Sequence, residues 1–236
     1  MGNGKLFIIP SELSKGTSLA TTTPQTIAAI RSCSYFLAEN IRTARRFISS
    51  LQADIVIESL HFEVLDKRTQ RHDLRDLLKP LFSGNNVGII SEAGCPGIAD
   101  PGALAVEIAH QNNLTVVPLV GPSSILLALM ASGFNGQSFV FHGYLPIDKK
   151  DRAEKIRKIE KESSRLKQTQ LFMDTPYRNP ALFSDLLKHC HPQTMLSIAR
   201  DITGEQEMIR TLNIGQWKKE KVELKKIPVI FSLYTM

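Results

Sequence analysis

Short apolar runs alternate with helix-patterned stretches along this chain, and that alternation limits the possible folds more than any other feature. Residues 5–9 (KLFII), 87–91 (VGIIS) and 115–120 (TVVPLV) read as buried strands bounded by glycine or proline. Residues 35–38 and 54–60 (DIVIESL) also have strand character. Helical segments fall between them. Residues 24–30 open on Pro24, which suits a first helical turn, and 73–82 carry Leu74, Leu77, Leu78 and Leu81 at helical spacing. Residues 42–51 and 103–110 complete the set. Alternation of this kind implies a largely parallel sheet with helices on both faces.

The second half is patterned differently. After 139–145 (FVFHGYL) comes the charged run 148–165, which mixes signs as an exposed helix face does, an RNA-binding face being the alternative. Strands at 171–173, 195–200, 208–212 and 227–233, with a helix at 181–189, predict a mixed sheet. The expected division is an N-terminal α/β domain over 1–120 and a C-terminal α/β domain over 121–236. A chain of 236 residues is long enough for two small domains of this type.

Composition narrows the function classes. The net charge of +6 leans weakly towards an anionic partner such as RNA. Cys33, Cys95 and Cys190 are scattered and form no CxxC pair, which argues against a disulfide framework or a structural zinc site. No metal is expected. No apolar run approaches the ~20 residues that span a bilayer, and the opening MGNGKLFIIPSE lacks the apolar length of a signal peptide. A soluble, cytoplasmic protein is the expectation. The phosphate loop GxxxxGK[ST], the dinucleotide fingerprint GxGxxG, HExxH and GxSxG are all absent.

The strongest local signal is SEAGCPGIADPG, residues 91–102, between a buried strand and a helix. Ligands of open α/β sheets gather at the carboxyl ends of strands. Three glycines let backbone approach a ligand, and two prolines hold the loop in shape. Exposed backbone N–H and C=O groups there suit a zwitterionic ligand; a tight structural turn is the plain alternative. PLVGPSS, residues 118–124, lies at another strand end, where Ser123 or Ser124 can cap the helix that follows.

Taken in order, these segments resemble one family. SEAGCPGIADPG looks like the SDAGTPxISDPG loop of the ribosomal RNA small-subunit ribose 2′-O-methyltransferase I family, and PLVGPSS its PLPGPxA turn. FHGYLP (141–146), FMDTPYR (172–178) and IARDIT (198–203) with Glu207 are similar to further segments of it, as are GKLFIIP and Ala38-Glu39 with Arg42. The sequence departs from the pattern at 10–16 (PSELSKG), Asn40, Ile41, Glu92, Cys95 and Tyr177. The first of these turns lies on the substrate side in that fold.

The resemblance implies a fold of the tetrapyrrole-methylase type, two α/β domains with S-adenosyl-L-methionine in the cleft between them, and a homodimer. By position it implies cofactor contacts from Ala93, Gly94, Cys95 and Ile98, from Ser123 and Ser124, and from Met173, Ala199 and Pro228. For Met173, plain core packing is the competing role. A ribose hydroxyl is a poor nucleophile that benefits from a general base, and Glu39 and Asp100 are the leading candidates; Asp100 alternatively caps the next helix. Arg42, Arg178 and Arg200 are candidates for holding substrate phosphate, or else for structural ion pairs. The expected activity is methylation of small-subunit ribosomal RNA. Methylation of a tetrapyrrole or other small anionic metabolite, and a non-catalytic binding module, are the alternatives.

Overall fold

In the computed structural model, which describes residues 2–235, the chain divides into two compact units, one ending at Ser123 and the other beginning at Ser124. The first holds β1 (Lys5–Ile9), α1 (Ser18–Thr21), α2 (Pro24–Arg31), β2 (Cys33–Ala38), α3 (Ile41–Ser50), β3 (His61–Val64), α4 (Arg71–Leu77), α5 (Lys79–Phe82), β4 (Asn86–Ile90), α6 (Ala103–Gln111) and β5 (Thr115–Pro118). Its five strands run in the order β3-β2-β4-β1-β5, and every pairing is parallel. Parallel strands need helical crossovers, which cover both faces and make the strands apolar throughout. Neighbouring residues therefore point into opposite cores. Phe36 and Ile90 join Ile30, Phe47 and Ile48 on one face, whereas Leu37 and Ile89 join Leu74, Leu78, Leu81 and Ile108 on the other.

The second unit holds α7 (Ser124–Ser132), β6 (Phe139–Tyr144), α8 (Lys149–Leu166), β7 (Thr169–Met173), α9 (Asn179–His189), β8 (Met195–Arg200), β9 (Met208–Asn213), α10 (Ile214–Trp217) and β10 (Val229–Tyr234). Its sheet order is β6-β7-β10-β8-β9. Only the β6–β7 pairing is parallel, so the sheet is mixed. The core gathers around Phe172, Phe231, Ile198, Leu182, Leu186 and Trp217, whose indole N–H donates to the Leu196 carbonyl at 2.8 Å. The charged helix α8 buries Ala153, Ile156 and Ile159 at helical spacing, together with Arg152. Arg152 is clamped by Asp185 and by the carbonyls of Pro146 and Ile147. The mixed charges of that run thus include one internal cation that its pattern hides.

Two expected elements differ. Residues 54–60 are not a strand: Ile57–Ser59 form a single 3₁₀ turn, and the strand follows as β3. Ile55 and Ile57 are apolar because they pack on the core, not because they belong to a ladder. β3 itself is an edge strand exposed along most of its length, so its sequence, HFEV, carries little apolar signal. The helix expected over 73–82 is broken at Leu78 into α4 and α5. Pro80 has no N–H for the Asp76 carbonyl and its ring crowds the preceding turn. Among the described residues no helix is long and apolar enough to cross a membrane.

Candidate active site

Strands β4, β1 and β5 are adjacent and parallel, so their carboxyl ends leave the first sheet along one edge. The segments that follow are tied together. The Ser11 N–H donates to the Gly94 carbonyl at 2.9 Å, and the Gly94 N–H donates back to the Ser11 carbonyl at 3.2 Å. The Ser11 hydroxyl donates to the Ser91 carbonyl, and the Ser91 hydroxyl to the Gly94 carbonyl. From the other side the Cys95 thiol reaches the Pro122 carbonyl at 3.4 Å. Gly94 has φ +74, and a Cβ there would stand 3.1 Å from Leu13 Cδ2 and 3.6 Å from the Pro122 carbonyl oxygen. At Gly121 a Cβ would fall 2.3 Å from Pro10 Cβ. Both positions need glycine because three chain segments meet there.

Ala93, Gly94, Cys95 and Ile98 thus share one braced loop, and Cys95 contacts the turn that leads to Ser123; Ser124 begins α7 in the second unit. The loop offers less free backbone than its composition suggests. Gly94 is committed to Ser11, the Gly97 N–H to the Pro101 carbonyl and the Ile98 N–H to the Cys95 carbonyl. Ile98 is half-exposed and presents an apolar surface.

The carboxylates come from the same edge. The order β3-β2-β4 sets the strand exits side by side, which brings Glu39 after β2, Asp66 and Lys67 after β3, and Glu92 after β4 into one electrostatic group with Asp100. Burial, reinforced by Glu39 and Glu92 and opposed by Lys67, pushes the Asp100 carboxyl up to about 6. Burial and Glu92 raise Glu39 as well, again against Lys67. Asp100 does not cap α6: the N-cap is Gly102, at φ +136. The Gly97–Pro101 hydrogen bond curls 97–101 into its own turn, so the helix begins two residues beyond Pro101, at Ala103. Asn40 caps α3 by accepting from the Arg42 and Thr43 N–H groups. Arg42 is exposed, and among the described residues no ion pair joins it to Glu39. The sequence marks Glu92 only as a departure from the family's loop and gives no signal for Lys67. Lys67 follows the edge strand that the pattern concealed.

In the second unit, Met173, Ile230 and Ala199 stand in one row across β7, β10 and β8. The Pro228 carbonyl accepts from the Asp201 N–H at 3.0 Å, which places Pro228 at the same sheet end. Met173 is half-buried, Pro228 exposed and Ala199 only 1% exposed. Arg178 is ion-paired to the buried Asp174, and Arg200 donates to the Glu223 carbonyl at 2.6 Å. Each arginine keeps a buried Nε with no partner, and so does the Oδ1 of the fully buried Asn179. Unsatisfied buried polar atoms are rare in native proteins, and each calls for a partner or a role. The two arginines are not paired with one another; each is anchored within its own strand end.

The residues of the first rim fit a sulfonium cofactor. The carboxylates coupled to Asp100 of this loop favour a cation, and Gly94 lets the loop close tightly against Leu13 and Pro122. Among the described residues no three His, Cys, Asp or Glu side chains are grouped to hold a metal ion.

The chain is similar to known proteins. The family model of the Tetrapyrrole (Corrin/Porphyrin) Methylases matches residues 18–217. Ribosomal RNA small subunit methyltransferase I of Vibrio cholerae is 28% identical over 97% of this chain and 76% of its own length. The protein of the same name from Synechocystis is 27% identical over 86% of this chain and 69% of its own. Among solved structures, the methyltransferase CobJ superposes with a TM-score of 0.64 at 16% identity, covering 100% of this chain and 95% of that one, a likeness of fold. The chain belongs to the tetrapyrrole (corrin/porphyrin) methylase family and is a methyltransferase whose methyl donor is S-adenosylmethionine.

Proposed function

We propose that the acceptor is a ribose 2′-hydroxyl of small-subunit ribosomal RNA, with Asp100 as the general base and Glu39 beside it. The observation that carries this reading is the Asp100 carboxyl, half-buried, free of any capping duty and raised to about 6. Such a group is ionised at neutral pH yet more basic than an ordinary carboxylate, which suits removal of a proton from an attacking hydroxyl. S-adenosylmethionine supplies the activated methyl group when bound. The chain's own residues then have two tasks. The braced loop 91–95 holds the donor against the acceptor, and Asp100 takes the hydroxyl proton as the oxygen attacks.

The charge of the rim favours a ribose over an anionic metabolite. A tetrapyrrole polycarboxylate would bring its charges against Glu39, Glu92 and Asp100. A ribose brings a neutral hydroxyl, while its flanking phosphates can reach a cation outside the carboxylate group such as the exposed Arg42. The names of the curated relatives support the same substrate. In this reading Ala93, Gly94, Cys95, Ile98 and Ser123 are the donor contacts of the first unit and Ser124, Met173, Ala199 and Pro228 those of the second, each set to be tested by substitution, and two copies associate as a homodimer, which light scattering checks.

The test is transfer of labelled methyl from S-adenosylmethionine to small-subunit RNA taken from a deletion strain, run beside a metabolite extract. Label at a ribose 2′-oxygen is expected. Label in the metabolite fraction alone would reassign the substrate, and binding of the donor with no transfer to either would make the chain a binding module.

A further inference from the structure

Resting on the RNA reading, we infer that the groove between α8 and the segment leading into β8 is a second RNA contact, which seats a backbone phosphate on the second unit. The groove has a volume of about 390 Å³ and is lined by Arg157, Lys161 and Ser164 of α8, by His191 and Gln193, and by Thr235 beyond β10. The α8 residues recur at intervals of four and three and so share one face of the helix. Arg157 and Lys161 are both exposed, and among the described residues neither is ion-paired with a carboxylate.

The remaining wall is arranged for an anion. The one carboxylate in it, Glu160, is occupied: its Oε1 accepts from the His191 N–H at 2.7 Å and from the Thr194 hydroxyl at 2.5 Å. Arg157 is steadied by an Nη2 contact of 3.3 Å to His189 Nδ1. Thr235 donates its N–H to the Ser163 hydroxyl oxygen, but its own hydroxyl is buried with no partner. Two unpaired cations beside an unsatisfied hydroxyl match a phosphate, which accepts hydrogen bonds from all three. The other arginine-lined cavities lack this combination. Arg71 is paired with Glu107, and Arg45 faces Glu58 at 4.0 Å and lies over the Phe62 ring. Arg46 and Arg75 remain as one cation each in those cavities, whereas the α8 groove sets two cations without carboxylate partners on one helix face.

The test is fluorescence anisotropy of the full chain with a labelled single-stranded fragment of small-subunit ribosomal RNA, titrated at several salt concentrations. The double variant Arg157→Glu/Lys161→Glu should bind at least about tenfold more weakly. Its log–log salt dependence should be shallower by about 0.7, the loss of one single-strand phosphate contact. Both positions are exposed, so folding and S-adenosylmethionine affinity should not change. Lys149→Glu/Lys150→Glu makes the same charge change at the exposed start of the helix and should cost less than about threefold with the slope retained. Thr235→Val should weaken binding in the same direction as the groove variant and by less. If the wild type binds RNA and the groove variant matches it, or matches the Lys149/Lys150 control, the groove is overturned while the RNA reading stands. If the wild type takes up S-adenosylmethionine but no RNA, the RNA reading fails and the groove with it.

Discussion

The two sheets of this protein deliver functional residues in different ways. In the first, every strand is parallel, so all five carboxyl ends open on one edge, and residues far apart in sequence become neighbours there: Ser11, Glu39, Lys67, Glu92 and Pro122. In the second, β7 and β8 end where β10 begins, so one edge mixes strand ends with a strand start: Met173, Asp174, Arg200 and Pro228. The parallel edge collects carboxylates whose proton affinity is raised by burial and by one another. The mixed edge collects arginines anchored by Asp174 and by a main-chain carbonyl. The first edge therefore has groups able to move a proton, and the second has groups able to hold shape and charge.

The sharpest way to break that contrast is to neutralise Asp100, the proposed proton acceptor. Asp100→Asn should lower methyl transfer by about 10²–10⁴-fold, the usual worth of a general base, with donor affinity little changed. In the wild type, turnover should fall as the pH drops through about 6, where Asp100 takes up its proton. The neighbours set that limb with known signs. Glu39→Gln removes a negative charge and should move it to lower pH; Lys67→Met removes the opposing cation and should move it to higher pH. A pH–rate profile that ignores all three variants would place the base elsewhere.

Next in size is the brace of the loop. Gly94→Val demands φ +74 of a β-branched residue and drives its side chain towards Leu13 and the Pro122 carbonyl. S-adenosylmethionine affinity by calorimetry should fall by roughly a hundredfold or more, as a misplaced contact at a reacting site can. Unchanged affinity in a folded variant would move the donor away from this rim. On the mixed edge the matching change is Asp174→Asn, which leaves Arg178 without its counter-ion. Removing one partner of a buried pair costs about 3–5 kcal/mol, and the partial exposure of Arg178 argues for the low end, about 3 kcal/mol in a denaturant titration. A loss of turnover without a loss of stability would instead make Arg178 a substrate ligand.

The sequence disclosed the parallel edge better than the mixed one. Buried parallel strands such as β1 and β4 announce themselves as unbroken apolar runs, and the glycines and prolines after β4 mark a loop that must meet other segments. Glu39 and Asp100 were legible as candidates because both lie in segments that resemble the family's pattern. What stayed hidden depended on the partner, not on local pattern. β3 is exposed at an edge, so neither it nor Lys67 after it stood out. The capping alternative for Asp100 was reasonable from an Asp-Pro pair, and only the Gly97–Pro101 bond, closed in three dimensions, assigns the cap to Gly102. Arg152 looked like one more solvated charge of α8, and Asp185 on α9 makes it internal.

The smallest expected effect separates a raised carboxyl from an ion-paired one at the carboxylate rim. Asp100 rises from its ordinary 3.8 to about 6 in the folded chain. Below 3.8 the proton is bound in both folded and unfolded states, and the favourable contribution of protonated Asp100 is fully present. Between 3.8 and about 6 the folded chain holds the proton more tightly, so stability declines as pH rises through that window and levels off above it. Asp100→Asn has no proton to lose. Its melting temperature, measured against the wild type, should therefore gain progressively from pH 4 to pH 6.5 and then stay constant. Solvent screens a half-exposed group, which limits the gain to about 2 °C. Glu39→Gln should show the same sign, since Glu39 is also raised, and the double variant should be the flattest of the four. A melting difference that ran the other way would mean that the folded chain stabilises the Asp100 carboxylate, as an ion pair with Lys67 would. The rim would then resemble the anchored arginines of the mixed edge more than a proton-accepting site.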